Sequence, residues 1–151
     1  MDDLANLYRQ LILEHSKHPR HASLPAHASH SAQLDNPLCG DRVLIGLEID
    51  ADRVLAVGFE GRGCAISIAA ASMMTEAVKG KRIAEVRALS ERYLGLVVAR
   101  AEVWPPELGP LAAFSGVSRY PARAKCAALA WSALQMVLSS TDPVDVATPS
   151  R

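Results

Sequence analysis

The sequence predicts an α+β fold, a small antiparallel β-sheet with helices packed on one face. Three observations carry this reading. Residues 42–60 hold two runs of period-two alternation around a short turn, the pattern of a hairpin with one buried side. On both sides of that hairpin, apolar residues recur at helical spacing. The chain of 151 residues, 50% apolar and 21% charged, has the size and composition of one ordinary domain, with no internal repeat and no linker. A single domain over residues 1–138 is expected, followed by a disordered tail at 139–151, "SSTDPVDVATPSR".

The elements follow in order. Residues 3–17 read as an amphipathic helix, since Leu4, Leu7, Tyr8, Leu11, Ile12 and His15 fall on one face. Asp2 or Asp3 is available as its N-cap, and Pro19 ends it. Residues 18–37, rich in Pro, Ser and His, read as a loop. Residues 42–50 form a strand with Val43, Ile45, Leu47 and Ile49 on one face. "ADR" (51–53) turns the chain, and residues 54–60 return with Leu55, Val57 and Phe59 on one face. "GRGC" (61–64) breaks the strand, and "AISIAAASMMTEAVKG" follows as a helix ending near Gly80. Residues 82–100 read as another helix; "VWPPELGP" (103–110) interrupts, and residues 107–116 hold a candidate short helix. Pro121 opens the last helix, which runs to about Leu138 with Cys126, Leu129, Ala130, Ala133, Leu134 and Val137 in a stripe. Ser72, Met73, Met74, Trp104 and Trp131 are read as packing residues.

Charge and targeting narrow the function classes. Lys+Arg and Asp+Glu are both 16, so the net charge is zero. A mainly electrostatic attraction to nucleic acid or to an anionic membrane is therefore not expected. The start, "MDDLANLYRQ", has no basic region and no long apolar run, so no signal peptide is read there. No stretch approaches the length of a membrane span, and a cytoplasmic location is expected. There are 3 cysteines, an odd number that does not suggest a disulfide framework. Reduced thiols serve as small core residues, nucleophiles or metal ligands.

Within "LDNPLCGDRV" (34–43), Cys39 and Asp41 flank Gly40, and residues two apart in extended chain point the same way. The pair suits half of a metal site, an activated thiol, or a polar turn. Cys64 falls at the far end of the second strand, so the hairpin brings it back beside them. It also stands at the start of a helix, where free N–H groups and the helix dipole favour a thiolate. Cys126, in the second turn of the last helix, could reach the same corner or simply fill the core. Three thiolates and one carboxylate make the four ligands of a tetrahedral zinc, with Arg42, Arg62, Arg123 and Lys125 to offset the negative charge. There is no C-x-x-C pair, so spacing alone does not decide between these readings. His15, His18, His21, His27 and His30 crowd one segment, where a polar loop competes with a second metal site. No phosphate loop, no Ser-His-Asp arrangement and no basic stripe is found, and no general base for a hydrolytic zinc enzyme.

Three segments, "DNPLCGDRV", "GRGCAISIAAASMM" and "PARAKCAALAW", resemble the cysteine motifs of the SufU proteins, a branch of the IscU-like iron–sulfur scaffold superfamily (NifU N-terminal type). "LYRQLILEHSKHPRH" is similar to the opening helix of that family, and the likeness spans residues 4–138. It implies the SufU/IscU fold, one Zn2+ per chain held by Cys39, Asp41, Cys64 and Cys126, and Cys39 as the sulfur acceptor. IscU-type scaffolds usually carry His just before the third cysteine. Here Lys125 stands there, and an extra helical segment around 82–105 separates Cys64 from Cys126, both features of the SufU branch. Arg123, one helical turn ahead of Cys126, is read either as a residue of the site mouth or as a surface charge.

The function that the resemblance implies is a zinc-dependent sulfurtransferase of SUF iron–sulfur cluster assembly. It takes persulfide sulfur from a PLP-dependent, SufS-type cysteine desulfurase on Cys39 and passes it to the assembly scaffold. The alternative is a scaffold holding iron or a 2Fe-2S cluster on the same ligands. A third reading, a purely structural zinc site, would leave Cys39 inert.

Overall fold

The computed structural model describes residues 2–37 and 40–139. Its elements are α1 (Asp2–Lys17), β1 (His30–Asn36), β2 (Asp41–Asp50), β3 (Arg53–Arg62), α2 (Ala65–Val78), α3 (Ile83–Ala99) and α4 (Pro121–Ser139). Two 3-10 segments, Pro106–Phe114 and Val117–Arg119, lie between α3 and α4. From residue 140 the expected tail lies outside the described residues.

The sheet is an antiparallel meander in the order β1-β2-β3. The expected hairpin is there, and β1 is an addition to it. "HSAQLDN" is no strand by propensity, since it has no β-branched or aromatic residue and only Ala32 and Leu34 to offer a core. It is extended because β2 supplies a ladder, pairing Ala32 with Ile45 and Leu34 with Val43. On β3 the inward set is Val54, Val57 and Phe59, while Leu55 stays 44% exposed. The cause is a register shift: Glu48 pairs with Ala56 but Ile49 with Val54, so Leu55 is the extra residue of a bulge and the alternation flips there.

α4 lies against β1 and β2 on one side and against α2 and α3 on the others. It therefore buries more than the expected stripe: Ala127, Trp131 and Leu138 are also covered. Tyr93 of α3 stacks on Trp131 with centroids 4.5 Å apart and meets Trp104 edge-on at 5.4 Å, so both tryptophans pack in the core. Met73 and Met74 are buried in the same core. Among the described residues, no helix is long and apolar enough to cross a membrane.

α1 rests on α2 through polar as well as apolar contacts. Ile12 and His15 are buried, yet Leu4 and Leu7 at the other end of the expected apolar face are 52% and 60% exposed. His15 Nδ1 lies 2.6 Å from Ser72 Oγ, which also accepts the Arg20 N–H at 2.8 Å. His21 Nδ1 lies 3.0 Å from Thr75 Oγ1. Two of the five histidines thus fasten α1 and its loop to a polar strip of α2. Burial, and then the Arg20 charge, hold the His15 proton affinity below its ordinary value, against the pull of Glu76 and Glu14. A lowered imidazole favours the folded state only while neutral. Its contribution is complete above the ordinary histidine pKa, about 6.5, and is lost as pH falls through the lowered value. Melting temperature should drop more between about pH 7 and 5 in the wild type than in His15→Asn; parallel curves would contradict this.

Candidate metal centre

The β2–β3 ladder sets up one corner of the molecule. Arg42 pairs with Arg62, so Asp41, one residue ahead of the first, lies beside Gly63 and Cys64, which follow the second. Gly40 takes φ +75° and donates its N–H to Asn36 O at 2.8 Å, a left-handed backbone that glycine adopts at no steric cost. At Gly63 the constraint is space: a Cβ would stand 2.8 Å from the Asp41 carboxyl carbon. Any side chain there would push the carboxylate out of its seat.

Asp41 is 3% exposed, although it is a carboxylate at the first residue of a strand. Donors from the start of α2 solvate it. Cys64 N–H donates to Oδ1 at 3.3 Å, and Ser67 Oγ–H donates a short bond to Oδ2. Cys64 is the N-cap of α2; its sulfur accepts the Ser67 N–H at 3.5 Å and stands 4.0 Å from Asp41 Oδ2. Cys126 arrives from α4, which packs along α2, and is 7% exposed. One donor atom from each of Asp41, Cys64 and Cys126 lies within 4.8 Å of the others. Burial pushes the Cys126 thiol well above the ordinary range, and hydrogen bonds with Cys64 and Asp41 add to this.

The structure thus brings together three of the four residues singled out from the sequence. The fourth, Cys39, lies outside the described residues. Of the four cations expected to offset the charge, Arg42 is turned to the outer face and held by Asp35 at 3.1 Å. Arg123 lies instead on the wall of a groove of about 1070 Å³ that Cys64 and Cys126 also line. Its guanidinium sits 5.7 Å from the centre of the Tyr120 ring. Leu4, Tyr8 and Arg9 of α1 line the same groove. Ser67 was not singled out from the sequence. Its signal is the Cys-x-x-Ser spacing, which puts a hydroxyl residue at the third helical position after a cysteine N-cap.

A meander sheet backed by helices, with two thiols and a carboxylate at the corner where strand gives way to helix, defines the class. The chain belongs to the family of the NifU-like N terminal domain, whose model matches residues 7–140. It is 41% identical over 133 residues to the zinc-dependent sulfurtransferase SufU of Bacillus subtilis, covering 88% of this chain and 90% of that protein. It is 37% identical over 135 residues to the iron–sulfur cluster assembly scaffold protein IscU of Streptococcus pyogenes, covering 89% and 84%. Among solved structures, an iron–sulfur cluster assembly scaffold protein for the SUF system (FiSufU) of Fervidobacterium islandicum superposes with a TM-score of 0.79 at 30% identity, covering 85% of this chain and 94% of that one. The family read from the three cysteine motifs is the family found.

Proposed function

We propose that this chain is a zinc-dependent sulfurtransferase of SUF iron–sulfur cluster assembly. The observation that carries the proposal is the convergence of Asp41, Cys64 and Cys126 donors within 4.8 Å. It occurs in a chain 41% identical to a protein named for that activity. The donor set fits zinc. Around a tetrahedral ion with Zn–S of about 2.3 Å, neighbouring donors stand roughly 3.8 Å apart, so these three need only close in slightly. Cys39, covalently next to Gly40 and Asp41, is the fourth donor in this proposal. Bound zinc would keep the coordinating thiols ionised at neutral pH.

The residues of the chain then divide the work. Cys64 and Cys126, on helices, hold the centre. Cys39, in the connection between β1 and β2, is the sulfur acceptor. Its thiolate attacks the terminal sulfur of a persulfide carried by a PLP-dependent, SufS-type cysteine desulfurase. The donor's S–S bond breaks, a new S–S bond forms on Cys39, and the donor cysteine leaves as thiolate, so no outside oxidant or reductant is needed. The same exchange hands the sulfur to the assembly scaffold. The setting is cytoplasmic.

The purified protein should carry about one zinc per chain and raise desulfurase turnover with L-cysteine. Chelator-stripped protein should lose that stimulation and regain it with zinc; full stimulation by stripped protein would contradict the proposal. The similarity to IscU favours a second reading, a scaffold for a 2Fe-2S cluster. A brown protein with visible absorption as purified would support the scaffold, and a colourless zinc protein the sulfurtransferase.

A further inference from the structure

We infer that Ser67 is a positioning residue for the metal centre: its hydroxyl sets the orientation in which Asp41 is offered to the ion. The inference rests on the metal-centre reading above. Ser67 is 7% exposed, and its side chain turns inward from the first turn of α2. A serine this early in a helix ordinarily bonds to nearby backbone or water. Here Oγ–H donates to Asp41 Oδ2, 26 residues away in the chain.

The other carboxylate oxygen is held from the same place, since Cys64 N–H donates to Oδ1 at 3.3 Å. Both donors belong to the rigid start of one helix. Rotating the carboxylate about its terminal torsion would sacrifice both bonds, so its plane is fixed relative to Cys64.

Ser67 reaches the second donor as well. Its backbone N–H is 3.5 Å and its Oγ 3.6 Å from Cys64 Sγ. A hydroxyl has one proton, and Asp41 receives it. Toward Cys64, Oγ therefore presents a lone pair. The hydroxyl's energetic link to Asp41 is the property to test.

The test is zinc affinity by competition with a chromogenic chelator, in the wild type, Ser67→Ala, Asp41→Ala and the double variant. Alanine is a good helix former, so Ser67→Ala should keep its helical circular dichroism. It should bind zinc about 10–100-fold more weakly, the usual effect of losing a partner that orients a ligand. In the Asp41→Ala background the same change should matter by about threefold or less, because the group it orients is gone. With cobalt(II) as probe, the visible bands of Ser67→Ala should move toward those of Asp41→Ala. Wild-type affinity in Ser67→Ala, or a full loss that persists without Asp41, would overturn the inference while leaving the centre itself intact. A wild-type chain with no zinc affinity would overturn both.

Discussion

Cys64→Ala and Cys126→Ala should each lose the bound zinc and, with zinc present, unfold about 3–5 kcal/mol more easily than the wild type. Metal that binds only the folded chain adds stability by mass action, about 2.7 kcal/mol at a hundred times the dissociation constant and about 4.1 at a thousand times. Removing one of these thiols removes most of that term. What remains is small, because cysteine to alanine deletes a single sulfur. For Cys126, buried on α4, this leaves a cavity of one atom, worth about 1 kcal/mol. For Cys64, which is exposed, it removes an N-cap acceptor of the Ser67 N–H, worth a similar amount. Denaturant unfolding with zinc and with chelator separates the two contributions. The gap between wild type and variant should be wide with zinc and shrink to about 1 kcal/mol with chelator. An equal gap in both media, or zinc retained by both variants, would remove these cysteines from the centre.

Cys39→Ala should match the wild type in stability when chelator is present, lose less of the zinc-dependent stability than Cys64→Ala or Cys126→Ala, and support no sulfur transfer. Cys64 caps α2 and Cys126 lies buried on α4, two helices that pack on each other and on the sheet. Cys39 lies between Asn36, where β1 ends, and Asp41, where β2 begins. A residue in a connection can change without breaking the packing on either side. Three donors and a water can still hold an ion, as in zinc sites that keep an open position. Metal content should therefore fall only in part, while stimulation of the desulfurase falls to the background level. Undiminished stimulation by Cys39→Ala would assign the chemistry elsewhere.

Much of this was legible in the sequence, for reasons that individual residues make clear. Val43, Ile45 and Leu47 alternate strictly and are buried, because β2 is the central strand with one face on the helices. Asp41 and Cys64 could be brought together on paper because a hairpin's ends must meet, and Cys126 because an apolar helix must cover the sheet. β1 was not legible, since its extended form depends on β2 rather than on its own side chains. The exposure of Leu55 depends on a bulge that pairing, not periodicity, creates. Ser67 escaped because a serine among the small residues of "AISIAAA" looks like filler until its hydroxyl is seen on Asp41. The outward turn of Arg42 could have been anticipated: alternation along β2 sends it to the face opposite Asp41, toward Asp35.

The most direct test of the central claim is where sulfur lands. The zinc-loaded chain is mixed with a persulfidated cysteine desulfurase for one turnover, free thiols are blocked, and the peptides are mapped by mass spectrometry. One extra sulfur on the peptide containing Cys39, and none on those containing Cys64 or Cys126, is the predicted result. Sulfur on Cys64 or Cys126, or no sulfur on any peptide while desulfurase turnover still rises, would contradict it.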